Sequence, residues 1–296
     1  MMKSLKIFWQ FSRPHTIIGS LCSISSLYVL ASKGHLLFAH LWLFAATLLA
    51  ALACNVFIVG INQIADIELD KINKPYLPLA AGSLTMLAAK QIVWACLFIS
   101  LLVSILTSYL LFLLILVILL IGAAYSLPPL SLKKHHLPAA LAITVVRGLL
   151  VNVGIFLHFQ YAIDQQLQLP DYIVCLTVFM MAFSIAIAWF KDLPDTDGDQ
   201  QFRIKTLAVL YSKKNALYGG MVLLSIAYAY LLYWSFIADY AHTRFLFLGN
   251  SVLFVFFLLN YFSVRLNNQV SIKYFYLRFW VFFFVEYWLF AIWILL

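Results

Sequence analysis

Charge is scarce in this chain, and acid is scarcer still. Only 10% of the 296 residues are charged, and Asp and Glu together number 11. A soluble chain carries about 25% charged residues, so a water-facing globular surface is excluded. Cysteine is sparse as well. Cys22, Cys54, Cys96 and Cys175 are dispersed without a CxxC spacing, which argues against a disulfide framework and leaves four small apolar packing residues. The seven histidines show no HExxH or paired spacing, so zinc, haem and di-iron sites lack support. No polar linker or soluble domain interrupts the sequence. Lys3 and Lys6 precede an apolar run in the manner of a signal peptide. Arg13-Pro14-His15 breaks that run, and the segment is expected to remain in the mature chain.

What is present is apolar. The chain is 65% hydrophobic with a mean hydropathy of +0.99, the composition of an integral membrane protein. Uncharged runs long enough to span, about 20 residues each, recur at 16–32, 38–61, 91–107, 109–126, 138–159, 171–190, 215–234, 245–264 and 274–295. The stretch 91–126 as one helix would measure roughly 54 Å against a bilayer core of about 30 Å, so it is divided at Thr107-Ser108. Loop charge supports the division. With the N-terminus cytoplasmic, the inside segments carry Lys3, Lys6 and Arg13, then Lys71, Lys74 and Lys90, then Lys133 and Lys134, then Lys191, Arg203, Lys205, Lys213 and Lys214, and last Arg265 and Lys273. The outside segments hold Lys33 and Arg244, the imbalance expected of a positive-inside topology. The net charge of +8 is therefore mainly a topology signal. Scattered over several loops, it forms no stripe, and no nucleic-acid partner is expected. The expected fold is all-α, nine transmembrane helices around a central cavity open to the cytoplasmic side, with residues 1–296 as a single domain.

Seven of the 11 acids fall in two short windows. NQIADIELDKINKP (Asn62 to Pro75) follows one uncharged run, and KDLPDTDGD (Lys191 to Asp199) follows another. Both emerge on the cytoplasmic face, at the ends of the second and sixth spans, where they can face each other across one cavity. Asn62, Asp66 and Asp70 are spaced i, i+4, i+8 and share one helix face over roughly 12 Å. Asp192, Asp195 and Asp199 share a face if their segment is helical, although Pro194 and Gly198 predict a kink. Glu68 and Asp197 fall off those faces. Crowded carboxylates near a low-dielectric interior repel unless a cation neutralises them. Oxygen-only ligands indicate a hard cation, Mg²⁺ before Ca²⁺ or Mn²⁺. Lys74, Lys133, Lys134, Arg203 and Lys205 on the same side would complete a diphosphate pocket.

A single Asp at a membrane boundary is more often mere interfacial charge; two aligned triads on one side are not. DTDGDQ is no EF-hand, since Gln200 stands where Gly is required and Thr206 where a bidentate Glu is. Arg147, near the middle of the fifth span, needs a partner or a wet cavity. It either fixes the helix through an ion pair or hydrogen bonds, or holds an acceptor carboxylate or phosphate oxygen. Both roles stay open at this point.

N-x-x-x-D-x-x-x-D with a following NKP, joined to D-x-x-D-x-x-x-D, resembles the UbiA superfamily of membrane aromatic prenyltransferases. FSRPHTIIG, NQIADIELDKINKPYLPLAAG, AYSLPPLSLKK and FKDLPDTDGDQQFRIKTL narrow the likeness to its homogentisate prenyltransferases, from Phe8 to the last span. The resemblance implies that Asp66, Asp70, Asp192, Asp195 and Asp199, with Asn62 assisting, hold Mg²⁺ on the diphosphate of an isoprenoid donor, phytyl or geranylgeranyl. Lys205, with Arg13, Lys133 or Lys134, would take up charge on the departing diphosphate. Tyr125, in AYSLPP, would stabilise an allylic cation through its ring face. The acceptor would be homogentisate, with its carboxylate lost as CO₂, in tocopherol or prenylquinone synthesis. Membrane lipid would dissolve the tail, and a bacterial cytoplasmic or thylakoid membrane is expected, without a plastid transit peptide.

Four other readings compete. A prenyltransferase for another phenol would share these motifs. A cation-coupled transporter would place its acids near the midplane, whereas these lie at helix ends. A CDP-alcohol phosphotransferase needs D-G-x-x-A-R, which is lacking, and a non-catalytic scaffold leaves the aligned acids unexplained.

Overall fold

A computed structural model describes residues 2–33 and 40–296. The side chain of Lys3 and the predicted start of the second span at 38 lie outside the described residues. Among those residues nine helices are long and apolar enough to cross a membrane, and there is no β-strand, only a single bridge between His135 and Lys205.

Helix α1 (Met2–Phe11) precedes the first crossing. It leaves Leu5, Phe8 and Trp9 exposed at i, i+3, i+4, the apolar stripe of a helix lying on a bilayer surface. Arg13 then takes a left-handed conformation (φ 54°) and Pro14 opens α2 (Pro14–Ala31) at the position where a missing N–H costs nothing. The crossings continue with α3 (Leu41–Ala65), to which the short α4 (Ile67–Asn73) is appended, then α5 (Met86–Thr107) and α6 (Tyr109–Ser126). The division at Thr107-Ser108 has a local cause. Ser108 is extended and its Oγ accepts from the Leu111 N–H at 3.1 Å, capping α6. The same hydroxyl meets His158 Nδ1 at 2.9 Å, while His158 Nε2 meets Thr47 Oγ1 at 2.9 Å.

The fifth crossing, His136–Asp164, is not regular. It consists of α7 (His136–Ile143), a π-helical stretch over Thr144–Ile155 and α8 (Phe156–Asp164). After it come α9 (Asp171–Phe190), the short α10 (Thr196–Gln201) and α11 (Leu207–Leu210), and the crossings α12 (Lys213–Ile237), α13 (Thr243–Phe262) and α14 (Gln269–Leu295).

Side by side, these crossings close a ring. α2 packs on α3, α3 on α6, α6 on the π stretch, the π stretch on α9, α9 on α12, α12 on α13, α13 on α14, and α14 returns to α2; α5 leans on α3 and α6. The seam between first and last crossings is hydrogen-bonded, Ser26 Oγ donating to the Tyr287 carbonyl at 2.6 Å. Tyr287 OH donates in turn to Asn152 Oδ1 at 2.8 Å, and such interhelical bonds contribute roughly 0.6–2 kcal/mol each in a membrane.

Two details of the sequence reading are corrected. Asn62, Asp66 and Asp70 do not ride one unbroken helix: α3 ends at Ala65 and Asp66 leaves helical geometry (φ −110°, ψ 16°). The i→i−4 bonds nevertheless run through the bend, Asp66 N–H to Asn62 O at 3.0 Å and Asp70 N–H to Asp66 O at 2.7 Å, so the three stay on one side. The second triad is not one helix either. α9 stops at Phe190, Lys191–Asp195 is a chain of turns around Pro194, and helix resumes at Thr196.

Candidate active site

The two acidic stretches meet. Asn73, at the end of α4, bridges them, its Nδ2 donating to Asp199 Oδ1 at 3.2 Å and its Oδ1 accepting from the Gly198 N–H at 3.1 Å. Beside it Lys74 Nζ pairs with Asp195 Oδ2. Lys133, from the loop after α6, pairs with Asp66 Oδ1 at 2.6 Å. Asn62 Nδ2 donates to Asp66 Oδ2 at 3.2 Å and to Ser126 Oγ at 3.4 Å, and Asn62 Oδ1 accepts from Arg13 Nη2 at 3.4 Å. Lys191 reaches Asp192 Oδ1 at 3.5 Å and donates to Tyr125 OH at 2.6 Å.

These pairings follow from electrostatic cost. A buried carboxylate without a partner costs several kcal/mol, and the chain's own lysines meet that need for Asp66 and Asp195. Asp70 is met only in part. It is 4% exposed, and its Oδ2 has no hydrogen-bond partner. Burial raises its carboxyl to about 6; Arg13 and Lys74 pull the other way, and Asp66 and Asp195 add to the rise. The influence of Asp195, from the other stretch, shows how near the two acidic runs lie. Burial and then Asp192 and Asp195 raise Asp199 to about 7. Asp192 is raised by burial, against the pull of Lys191. Lys133 is lowered by burial despite Asp66. Lys74, which burial would lower, is instead raised by Asp195.

Behind this cluster a cavity of about 260 Å³ runs into the ring. Arg13, Asn62, Tyr125 and Lys191 line its polar end. The aspartates do not line it; Asn62 and Lys191, bonded to Asp66 and Asp192, stand between them and the interior. Tyr276, Trp280, Phe283 and Tyr287 form one wall, spaced i, i+4, i+7, i+11 on a single face of α14. Arg147, carried by the π stretch, lies over the Trp280 ring at 4.7 Å from its centroid. Among the described residues it makes no ion pair, so the helix-fixing salt bridge allowed by the sequence is not formed.

Asp66, Asp70, Asp192, Asp195, Asp199, Asn62, Arg13, Tyr125 and Lys133 thus converge, and Arg147 faces the same cavity from deeper in the ring. Lys134 and Lys205 do not join them by side chain. Their backbones pair, Lys205 N–H to Lys134 O at 2.9 Å, and both side chains are exposed at the rim. Glu68 and Asp197 are exposed. Sequence reasoning passed over Asn73, Lys191 and the aromatic face of α14. Lys191 could have been found as the lone cation directly preceding Asp192, and the aromatic face from its helical spacing.

A family model described as the UbiA prenyltransferase family matches residues 20–285. Homogentisate phytyltransferase of Synechocystis sp. (strain ATCC 27184 / PCC 6803 / Kazusa) is 39% identical over 300 residues, covering 99% of this chain and 97% of its own. Chloroplastic homogentisate solanesyltransferase of Arabidopsis thaliana is 42% identical over 229 residues, 74% of this chain and 58% of its own. A solved UbiA homolog from Archaeoglobus fulgidus, bound to GPP and Mg²⁺, superposes with a TM-score of 0.67 at 17% identity, over 95% of this chain and 99% of that one.

Proposed function

Since the chain belongs to the UbiA prenyltransferase family and is a membrane enzyme that transfers prenyl groups, we propose that it joins the phytyl or geranylgeranyl group of a diphosphate donor to homogentisate, with Mg²⁺ as its metal. One observation carries this reading: a cluster of carboxylates and cations sits at the polar end of an apolar cavity walled by aromatic rings. A donor with a charged head and an oily tail requires that division. The curated relatives named above share the acceptor and differ in the prenyl group, which supports homogentisate more firmly than any chain length.

The residues fit the metal. Asp66, Asp70, Asp192, Asp195 and Asp199, with Asn62, offer oxygen alone, and Asp70 Oδ2 is buried and unpartnered. Among the described residues no three are already gathered as a cation cage, and Lys74 and Lys133 hold oxygens of Asp195 and Asp66. Bound Mg²⁺ supplies neutralisation of these acids and stabilisation of charge on the departing diphosphate. Lys74 and Lys133, paired with Asp195 and Asp66, would be the cations within reach of the donor's phosphate oxygens once a metal neutralised those acids. Arg13, whose buried Nε is unpartnered, faces the same head group, and Lys134 and Lys205 add charge from the rim.

Breaking the donor's C–O bond leaves an allylic cation beside Tyr125, Tyr276 and Trp280, whose ring faces favour positive charge. The apolar wall keeps water from that cation. Arg147, held over the Trp280 ring, grips the acceptor's carboxylate. A ring carbon of the acceptor next to its side chain forms the new C–C bond. The proton that ring carbon loses is balanced by the proton gained at the side chain as CO₂ leaves. The N-terminus and the acidic mouth face the cytoplasm in this reading, in a bacterial cytoplasmic or thylakoid membrane.

The test offers the purified protein Mg²⁺ and homogentisate with phytyl, geranylgeranyl or farnesyl diphosphate, with EDTA controls and mass spectrometry of products. A prenylated product that has lost CO₂, and that EDTA abolishes, is expected. Turnover only with another phenol would remove homogentisate and leave prenyl transfer. No metal-dependent turnover with any donor or phenol would overturn the whole reading.

A further inference from the structure

Arg278 stands in an unusual place. It lies nine residues into α14, which begins at Gln269, and so roughly 14 Å along that crossing. It is nevertheless exposed on the outside of the ring. Its Nε donates to the Tyr274 carbonyl at 3.2 Å, which leaves both terminal amino groups without a partner among the described residues. Arg265, in the loop before α14, is likewise exposed and in no ion pair there. Between residues 243 and 296 the only acid is Glu286. It is 0% exposed and lies two turns beyond Arg278, so it does not neutralise either arginine.

Both arginines border one hollow of about 600 Å³, with Asn268 and Ser271 as further polar walls. Arg278 also borders a second, apolar groove of about 390 Å³ between α13 and α14, lined by Leu253, Phe256, Val281 and Val285. The two spaces therefore meet at Arg278, one polar and one apolar. Asn260 lines the groove as well. It is 4% exposed, its Nδ2 donates to the Phe275 carbonyl at 3.4 Å, and its Oδ1 has no partner. The site thus presents two guanidinium groups in no ion pair among the described residues and a trough for a hydrocarbon chain. It opens on the same face of the molecule as the acidic mouth, since Lys273 of α14 lies 4.8 Å from the centroid of the Tyr76 ring.

We propose that this cleft between α13 and α14 is a binding site for one anionic glycerophospholipid. Its phosphate lies between Arg265 and Arg278, and one acyl chain lies along the groove. An exposed cation at that depth is costly when unpaired, and long basic side chains reach toward headgroups for this reason. A phosphodiester resolves both needs, and a zwitterionic headgroup adds a positive charge where two already stand. The site is separate from the cavity inside the ring and does not depend on what reacts there.

The test is native mass spectrometry of the detergent-purified full chain, titrated with phosphatidylglycerol or phosphatidylcholine of identical acyl chains. One phosphatidylglycerol should be retained in preference to phosphatidylcholine. Retention should weaken about fivefold for each arginine removed in Arg265→Gln and Arg278→Gln. Val281→Trp, which fills the groove and keeps both arginines, should also expel it. Millimolar inorganic phosphate should leave the lipid bound. Equal retention of the two lipids, or undiminished retention in the double arginine variant, overturns the proposal. Displacement by inorganic phosphate overturns it too, by showing a site for free anions.

Discussion

Lys74 and Lys133 sit on acids that the proposed reaction assigns to a metal, so loading would be an exchange of cations. Asp66→Ala or Asp192→Ala should lower metal-dependent turnover by about two to three orders of magnitude, with the protein still monodisperse in detergent; full activity in either would remove the assignment. pH enters through Asp70 and Asp199, held at about 6 and about 7. Those carboxyls must lose protons before they can bind a cation, so affinity for Mg²⁺ should rise between pH 6 and 8 and binding should release protons. Calorimetry in two buffers of different ionisation enthalpy reads that release, and pH-independent binding would contradict it. The metal-free protein behaves in the opposite sense. Its folded state holds more protons than its unfolded state between about pH 4 and 7, so it loses stability as pH rises through that window. Arg147→Leu should raise KM for the acceptor and leave KM for the donor unchanged; equal effects on both would point to a structural part for Arg147.

Packing of single elements sets where these residues stand. A Cβ on Gly148 would lie 2.7 Å from the Met181 Cα of α9, so Gly148→Ala must push the π stretch, and Arg147 with it, off α9. The cost should be about 1–3 kcal/mol, visible as a lower Tm in detergent, and an unchanged Tm would refute the close-packing argument. Gly198→Ala would place its Cβ 2.2 Å from Asn73 Oδ1. It should cost activity before stability, since α10 is a short rim helix. Such contacts mark the limit of what the sequence reveals. The crossings were legible because length and hydropathy are local, and Ser108 marks its own turn. The acids were legible because seven of 11 in two windows is a local statement too. The bend at Asp66, the irregular fifth crossing and the bridge through Asn73 depend on neighbours distant in sequence. Lys134 and Lys205 illustrate the same limit: charge and loop position suggest ligands, but the backbone pairing that holds both at the rim joins segments distant in sequence.

Across the whole molecule, nine crossings among the described residues place the two ends of the chain on opposite sides of the membrane. With the basic loops inside, alkaline phosphatase fused after Leu296 should be active, and a fluorescent protein in its place should be dark; the reverse pair would invert the topology. The α2–α14 seam adds a consequence in time. A chain is synthesised from its N-terminus, so α2 enters the bilayer first and waits for its last neighbour until every other crossing is made. Until α14 arrives, the aromatic wall is missing and the space within is an open trough facing lipid. Competence is therefore withheld from unfinished copies: an interrupted chain carries both sets of aspartates and still has no sheltered place in which to use them.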